Sequence, residues 1–332
     1  MNERGLKSGP AAVVIGGGTG LATLLKGLKE HTGDITAVVT VADDGGSSGR
    51  LRRELGILPP GDIRNCLVAL ARDESLLSRL FQYRFDEGPL SGHSFGNLFL
   101  AALTKVTDDF EQAIRLSSHI LATRGRVLPA SPDLVTLRAE LSDGSQEEGQ
   151  STITNSAHSC RRIWLQPEEA RATEAALDAI RSAQVIVIGP GSLFTSIIPN
   201  LLIREIAQAV REAGCRRLFV CNVMTQPGET LGFTAADHVE ALLAHAGPGI
   251  VDAVLLNSTA PPPEVIRHYR AAGAEPVQND SQRLLGLGVE VVTGDLAAGS
   301  DYFHHDSRKL AAAVMSQLSP PPDGTADMSG AD

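Results

Sequence analysis

The chain is poor in aromatic residues, in basic charge and in long apolar runs, and each shortage narrows what it can be. Aromatic residues make up 4% of the 332 residues, so the core must be built from aliphatic side chains. The formal net charge of −10 argues against a general nucleic-acid binder, which needs a basic surface or stripe. The longest apolar runs fall far short of the ~20 residues of a membrane span, and no signal segment opens the sequence. We therefore expect a cytoplasmic protein with no membrane span and no nucleic-acid partner.

Cysteine is also scarce, and its positions exclude a zinc or disulfide framework. The four cysteines are Cys66, Cys160, Cys215 and Cys221. They show neither the paired spacing of a disulfide scaffold nor the spacing of metal ligands. Reduced and mostly buried thiols of a cytosolic protein are the expected state.

What the sequence does contain is a regular alternation of β-branched apolar runs with apolar residues at helical spacing, which predicts an α/β protein. The predicted strands are residues 13–15, 35–41, 183–188, 217–221, 251–256 and 289–293. The predicted helices are residues 21–28, 63–70, 98–106, 195–210, 235–244, 263–271 and 308–318. Short strands around turns, at residues 134–141, 151–153 and 163–165, predict an antiparallel insert.

These elements predict a three-layer α/β/α fold with a Rossmann-like parallel sheet and a small antiparallel β insert at about residues 127–165. One domain would then cover residues 11–318. Residues 1–10 are polar and are expected to be flexible. Residues 319–332 are rich in proline and polar residues, and we expect a disordered tail there.

The first glycine cluster follows the first predicted strand and precedes a helix. Gly17, Gly18 and Gly20, with Thr19 as a side-chain donor, would place backbone N–H groups around an anion at the start of the helix. The cluster is not a P-loop, because no Gly-Lys-Ser/Thr follows, and its third glycine comes one residue too early for a dinucleotide fingerprint. A tight turn without a ligand remains the alternative.

A second polar loop follows the next strand and contains Asp43, Asp44, Ser47, Ser48 and Arg50. Three interpretations stay open for the two carboxylates. They could shape the turn by bonding their own backbone. They could hold Mg²⁺ together with phosphate oxygens, or one of them could act as a base toward a hydroxyl. The arginine favours a phosphate ligand, which it can pair with bidentately.

Two further loops carry single polar candidates. Asp62 stands where a helix N-cap belongs, and a cap and a ligand contact are equally compatible with its position. His93, Ser94 and Asn97 enter the next helix. A nucleophilic pair of His93 with Ser94 is conceivable, but the wall of a polar pocket is the preferred interpretation.

The strand, glycine loop and helix start recur later in the chain, with Gly189, Gly191, Ser192 and Thr195. Two such anion sites across one cleft fit a diphosphate or a nucleotide sugar. Asn222 and Thr225 close the following strand with amide and hydroxyl groups and are interpreted as substrate contacts. Asp306 is expected to cap the last helix.

Seven long motifs give the sequence a resemblance to the gluconeogenesis factor (YvcK-type) family, the bacterial branch of the CofD-like, or 2-phospho-L-lactate transferase, superfamily. The resemblance spans residues 11–317. The motifs are IGGGTG (15–20), VTVADDGGSSGR (39–50), LPPGDIRN (58–65), LSGHSFGN (90–97), IGPGSLFTSI (188–197), CNVMTQPGET (221–230) and FTAADH (233–238).

The resemblance implies a binder of UDP-sugars such as UDP-N-acetylglucosamine and UDP-glucose. It further implies a role in cell shape and peptidoglycan synthesis during growth on gluconeogenic carbon sources. Thr19 and Tyr269 match residues of the family's nucleotide-sugar site. His304 stands where the family has an arginine, so a permanent bidentate donor is replaced by a mostly neutral ring. Gln150 stands where relatives tend to carry glutamate.

The transferase branch of the superfamily implies a second hypothesis. Its enzymes hold Mg²⁺ with aspartates, which Asp43 or Asp44 and Asp62 match loosely. The chain is therefore expected to be a sensor without turnover that requires no cofactor, or else an Mg²⁺-dependent transferase acting on a nucleotide-diphosphate-linked donor. A homodimer is expected, and the regulatory or cell-envelope protein that would be its partner is not indicated.

Overall fold

The computed structural model describes residues 9–72, 76–298 and 302–318. The predicted tail, 319–332, and residues 1–8 of the predicted flexible segment lie outside the described residues. The strands, in chain order, are β1 (Ala12–Gly16), β2 (Ile35–Val39), β3 (Arg126–Pro129), β4 (Thr136–Leu141), β5 (Gln146–Glu148), β6 (Cys160–Gln166), β7 (Val185–Ile188), β8 (Arg216–Val220), β9 (Ala253–Asn257) and β10 (Glu290–Gly294).

Helices cover both faces of the larger sheet. They are α1 (Gly18–Leu28), α2 (Gly46–Leu55), α3 (Gly61–Leu70), α4 (Leu76–Gln82), α5 (Phe95–Thr107), α6 (Phe110–Ile120), α7 (Gln150–Thr154), α8 (Glu174–Arg181), α9 (Ile198–Leu201), α10 (Arg204–Glu212), α11 (Ala235–Ala246), α12 (Pro263–Ala271), α13 (Ser281–Gly286) and α14 (Ser307–Ser316). A π-helical turn, Leu193–Ile197, precedes α9.

The larger sheet has seven parallel strands in the order β10-β9-β8-β7-β1-β2-β3. Every residue of β1, β2 and β7 is buried, which is why these strands consist of small and β-branched residues, with Thr36 as their one polar side chain. The predicted fold class, a three-layer Rossmann-like α/β/α sheet with a small antiparallel sheet, is confirmed.

The strand order sets the place of a ligand site. From β1 the chain runs outward to β2 and β3, and it later returns to the other side of β1 through β7 and continues outward to β10. The order therefore reverses between β1 and β7. Open α/β sheets bind ligands in the crevice at the carboxyl ends of the strands at such a reversal.

The antiparallel insert is smaller than predicted. Arg126–Pro129, at the start of the predicted insert, instead pairs in parallel with β2 as an edge strand of the main sheet. The insert sheet has the order β5-β4-β6. The predicted strand 151–153 is wrong: these residues lie in the short helix α7. Gly149 adopts φ +96° before it, and this turn starts a helix instead of extending the strand.

The helix predicted over 195–210 is interrupted. The π-helical turn leads into α9, and the axes of Leu193–Leu201 and Arg204–Glu212 differ by 77°. Pro199 stands in the first turn of α9, where the N–H that it lacks has no helical acceptor. The bend follows at Leu202 and Ile203, because Ile203 adopts an extended conformation before α10. The Asn200 side-chain amide donates to the carbonyls of Ser196 and Ile197. Among the described residues no single helix is long and apolar enough to cross a membrane, and only this bent pair has the combined length and composition.

Candidate functional site

The first glycine loop places the start of α1 beside the loop after β7. Gly17 precedes α1 without any side-chain cap, and Gly18 adopts φ +69°, a conformation that glycine accepts without strain. A Cβ atom on Gly20 would lie 2.8 Å from the carbonyl oxygen of Pro190. The two glycine loops therefore touch at the carboxyl ends of β1 and β7, and the first N–H groups of α1 have no helical acceptor.

A pocket of about 670 Å³ opens at this contact. Residues predicted to bind a ligand line it together, and these are Gly17, Gly18, Thr19, Gly20, Gly191, Ser192, Asn222, Thr225, Tyr269 and His304, with Asp62 beside them. A side chamber of about 310 Å³ shares Asn222, Val223 and Phe303 with the pocket. The volume of the pocket is within the range of small-molecule sites.

Amide side chains hold the second glycine loop in place. Asn222 Nδ2 donates to the carbonyl of Gly191 at 2.9 Å, and Gln226 Nε2 donates to Ser192 Oγ at 2.9 Å. Both amides follow β8 in the motif at 221–230. They thus position the loop from the neighbouring strand end.

The chain around residue 304 closes one side of the pocket. The Tyr269 hydroxyl donates to the carbonyl of Phe303 at 3.3 Å. The His304 ring bonds through Nδ1 to the carbonyl of Tyr302 at 2.8 Å, so in the neutral ring Nε2 is the acceptor. His304 therefore lacks the two parallel donors of the arginine that the family resemblance led us to expect. Asp306 caps α14 by accepting from the N–H groups of Arg308 and Lys309, as predicted.

His305 also lies in the pocket lining and has an unpartnered ring nitrogen. Its side chain is buried, at 7% exposure, and Nε2 has no hydrogen-bond partner. Burial lowers the pKa of His305 to about 4. The neighbouring His304 lowers this pKa further, and a hydrogen bond to the backbone of Cys221 opposes the shift. The ring is therefore neutral at pH 7. Gln150 Oε1 is likewise buried in the lining without a partner.

Asp62 lies inside the first turn of α3 and does not cap it, because α3 begins at Gly61 after Pro60 without a side-chain cap. The carboxylate instead accepts the N–H of Gly18. The pKa of Asp62 is raised to about 7, mainly by burial and secondly by the negative charge of Asp43. A carboxyl group that is partly protonated at neutral pH can stand beside an anion site without full charge repulsion.

The two aspartates of the loop after β2, Asp43 and Asp44, make separate hydrogen bonds. Asp43 accepts from the N–H of Gly45 at 2.9 Å, and burial raises the pKa of Asp43. Asp44 Oδ1 accepts from both the N–H and the hydroxyl of Ser151, at 2.9 and 2.8 Å. Asp44 thus ties the loop to the insert. In the described parts of the chain, no group of three or more His, Cys, Asp or Glu side chains is placed to hold a metal ion.

Ser47, Ser48, Arg50 and Asn97 do not line the pocket. Ser47 Oγ lies 2.9 Å from His93 Nδ1 and accepts from Asn97 Nδ2 at 3.1 Å. The histidine therefore pairs with Ser47 and not with Ser94, which caps α5. Ser48 bonds to Asp43, and Arg50 donates to the carbonyl of Ser91 at 2.7 Å. Ser47, Ser48 and Asn97 are buried, whereas Arg50 is half-buried, so this group supports the loop and does not contact the pocket.

The last predicted residues, Gly189 and Thr195, lie in the second glycine loop and in the π-helical turn that follows it. Gly189 adopts φ +83°. Thr195 is buried and donates to Glu229 Oε1 at 2.7 Å, and the N–H of Phe194 donates to Glu229 Oε2 at 3.2 Å. Glu229 also accepts from Thr154 of α7 at 3.2 Å. This fully buried carboxylate joins the insert to the π-helical turn, a role that its place in the motif at 221–230 did not indicate.

Comparison with known proteins matches nearly the whole chain. A profile of the family described as 2-phospho-L-lactate transferase CofD matches residues 12–297. The gluconeogenesis factor of Bacillus subtilis is 49% identical over 311 residues, which cover 93% of this chain and 98% of that protein. The gluconeogenesis factor of Halalkalibacterium halodurans is 48% identical over 305 residues, covering 91% and 95%.

Solved structures agree with the sequence comparisons. A crystal structure of a Bacillus halodurans protein has a TM-score of 0.90 and 47% identity, and the match covers 93% of this chain and 100% of that one. A second structure from Bacillus halodurans, described as a member of the UPF0052 family, has a TM-score of 0.89 and 48% identity, with 92% and 99% covered.

Proposed function

The chain belongs to the CofD family and, within it, to the gluconeogenesis factors, and from this premise we propose that it is a cytoplasmic UDP-sugar-binding regulator. It would bind UDP-N-acetylglucosamine or UDP-glucose without turnover. It would serve cell shape and peptidoglycan synthesis during growth on gluconeogenic carbon sources.

The observation that carries the proposal is the contact between the two glycine loops at the sheet reversal. The start of α1 offers the N–H donors that Asp62 does not take, and the Pro190–Gly191 segment lies against it. Such a pair of loops suits the two phosphates of a diphosphate. Thr19 is exposed in the lining and can add a hydroxyl donor.

Two orphaned acceptors favour a sugar as the group attached to the diphosphate. His305 Nε2 and Gln150 Oε1 are buried in the lining without donors. A buried acceptor without a partner is costly, and sugar hydroxyls are donors of the right kind.

Calorimetric titration tests the proposal. We expect micromolar binding of UDP-N-acetylglucosamine or UDP-glucose, about −8 kcal/mol, weaker binding of GDP, and no product by mass spectrometry. Thr19→Val and Tyr269→Ala should weaken binding by about tenfold, or ~1.4 kcal/mol. Thr104→Val on α5, away from the pocket lining, is the matched control. Equal binding by wild type and both site variants would contradict the proposal.

The alternative is an Mg²⁺-dependent transferase of the phospholactyl type. The contact of Asp62 with the first glycine loop, and the nearby charge of Asp43, favour it, because Mg²⁺ is commonly held by one or two carboxylates together with substrate phosphates. Mg²⁺ would there neutralise phosphate charge. Product formation that requires Mg²⁺ and is lost in Asp43→Asn would establish this alternative and exclude the sensor.

A further inference from the structure

A second concave surface lies away from the glycine loops, between β6, α10 and α11. We name it the basic groove and define it by Arg162, Trp164, Arg204, Gln208 and Arg211. His245 of α11 also lines it. Its volume is about 510 Å³. None of these side chains lines the pocket at the glycine loops, so the groove is a separate feature of the surface.

The groove concentrates positive charge on a chain of net charge −10. Its lining contains three arginines and one carboxylate, Glu168. Across the described residues, the side chains of Arg162 and Arg204 make no ion pair or hydrogen bond, while Arg211 donates to the carbonyl of Ala246. Unpaired guanidinium groups that face one cavity favour an anionic occupant.

We propose that the basic groove binds an acidic segment of a partner protein. Nucleic acid is disfavoured, because it requires a long basic stripe, and the rest of this acidic surface would repel it. A groove of this volume accommodates a few residues of an extended peptide. Carboxylates would pair with Arg162 and Arg204, and the half-buried Trp164 ring would cover an apolar side chain.

The groove also has a structural connection to the glycine loops. Ser192 and Ser196 line the pocket and stand at and within the π-helical turn, whose chain continues through α9 to Leu201 and Leu202 in the wall of the groove. The Phe194 ring packs edge-on against His245 at 5.9 Å. π-Helical turns are irregular segments that often occur at functional sites. Occupancy of the pocket can therefore change the groove, a step that rests on the proposed function.

The chain has a built-in reporter, because Trp164 is its single tryptophan. A peptide of alternating serine and glutamate is titrated into the full chain while Trp164 fluorescence is recorded, with a serine–glutamine peptide of equal length as the uncharged control. We expect a saturable fluorescence change with the acidic peptide only. Its dissociation constant should rise with salt, because the contacts are solvent-exposed ion pairs.

The variant Arg204→Glu should raise the dissociation constant at least tenfold. A glutamate at the first position of α10 suits the helix start, so folding should persist. Arg161→Glu is the matched control: it makes the same charge change on β6 outside the groove lining and should leave binding within twofold. Equal losses in both variants, binding of the uncharged peptide, or no fluorescence change would overturn the proposal. So would a homodimer that Arg204→Glu dissociates, because the groove would then be a subunit interface.

The coupling is measured in the same cuvette after calorimetry has established nucleotide-sugar binding. Saturating UDP-N-acetylglucosamine should change peptide affinity by threefold or more, in either direction. An unchanged affinity with a bound sugar nucleotide refutes the coupling. Absence of sugar-nucleotide binding refutes the proposed function alone, because the peptide titration contains no nucleotide.

Discussion

Asp62 gives the sharpest prediction for the site. Its pKa is 3.8 in an unfolded chain and about 7 in the folded one. A pKa raised by folding means that the native state holds the proton more tightly. Below about pH 4 the carboxyl group is protonated in both states, and burial carries no charge penalty. As the pH rises from about 4 to about 7, the free energy of unfolding falls, because only the native state still holds the proton. At pH 8 the ionised carboxylate should cost up to about 4 kcal/mol.

Asp62→Asn removes that cost while keeping a side-chain oxygen that can accept the N–H of Gly18. We expect the variant to be more stable than wild type by up to about 4 kcal/mol at pH 8. At about pH 5 the gain should fall below half of that value. Urea unfolding at the two pH values, monitored by circular dichroism, measures the difference.

The control is Asp34→Asn, which removes one carboxylate from an exposed position before β2. It should shift the free energy of unfolding by at most about 0.5 kcal/mol at either pH. If Asp62→Asn is less stable than wild type at pH 8, or changes stability equally at both pH values, then the carboxylate is ionised and stabilising. Burial would then not be the effect that sets the pKa of Asp62.

Further predictions concern the loops and the ligand. Gly20→Ala should lower the free energy of unfolding in urea by about 1–3 kcal/mol, because the new Cβ would lie 2.8 Å from the Pro190 carbonyl oxygen. The control is Gly286→Ala on α13, where the new Cβ meets open space and should be neutral or stabilising. Glu229→Ala should lower the free energy of unfolding by roughly 2–4 kcal/mol, since two buried donors and the hydroxyl of Thr154 lose their acceptor. A loss below about 0.5 kcal/mol, the size of an ordinary surface change, would contradict this. His304→Arg should tighten calorimetric binding of the UDP-sugar by about tenfold, because it adds a bidentate donor to the lining, and unchanged affinity would show that the side chain does not reach the phosphates.

Periodicity and glycine placement were sufficient to predict six of the seven strands of the main sheet, because its central strands are buried on both faces. The edge strand Arg126–Pro129 was missed, because it is short and only partly buried. The strand prediction for residues 151–153 was wrong because serine and threonine are compatible with both a strand and a short helix. The turn at Gly149 decides between the two. The break at Leu202 and Ile203 was similarly hidden within an apolar run that fits a helix by spacing alone.

The loops that form the candidate site could be predicted from the sequence, but the buried side chains packed around those loops could not. Glycine and hydroxyl residues directly after strands indicate an anion site by local chemistry alone. The neutral state of His305 depends on burial by residues remote in sequence, and the partner of Ser47 proved to be a histidine 46 positions away. Such long-range pairings follow from the packing of helices and cannot be obtained from spacing.

The attachment of the insert has an evolutionary consequence. The chain leaves the main sheet at Pro129 and rejoins it at Val185, so the segment between can change without altering the order of the parallel strands. Yet two carboxylates of the main domain, Asp44 and Glu229, each take a hydroxyl from α7 within it. Within the same segment, the backbone N–H groups of Ile163 and Ala172 donate to His245 and Glu205 of the main domain. Divergence of this segment is therefore most constrained at the residues that contact the parallel-sheet domain.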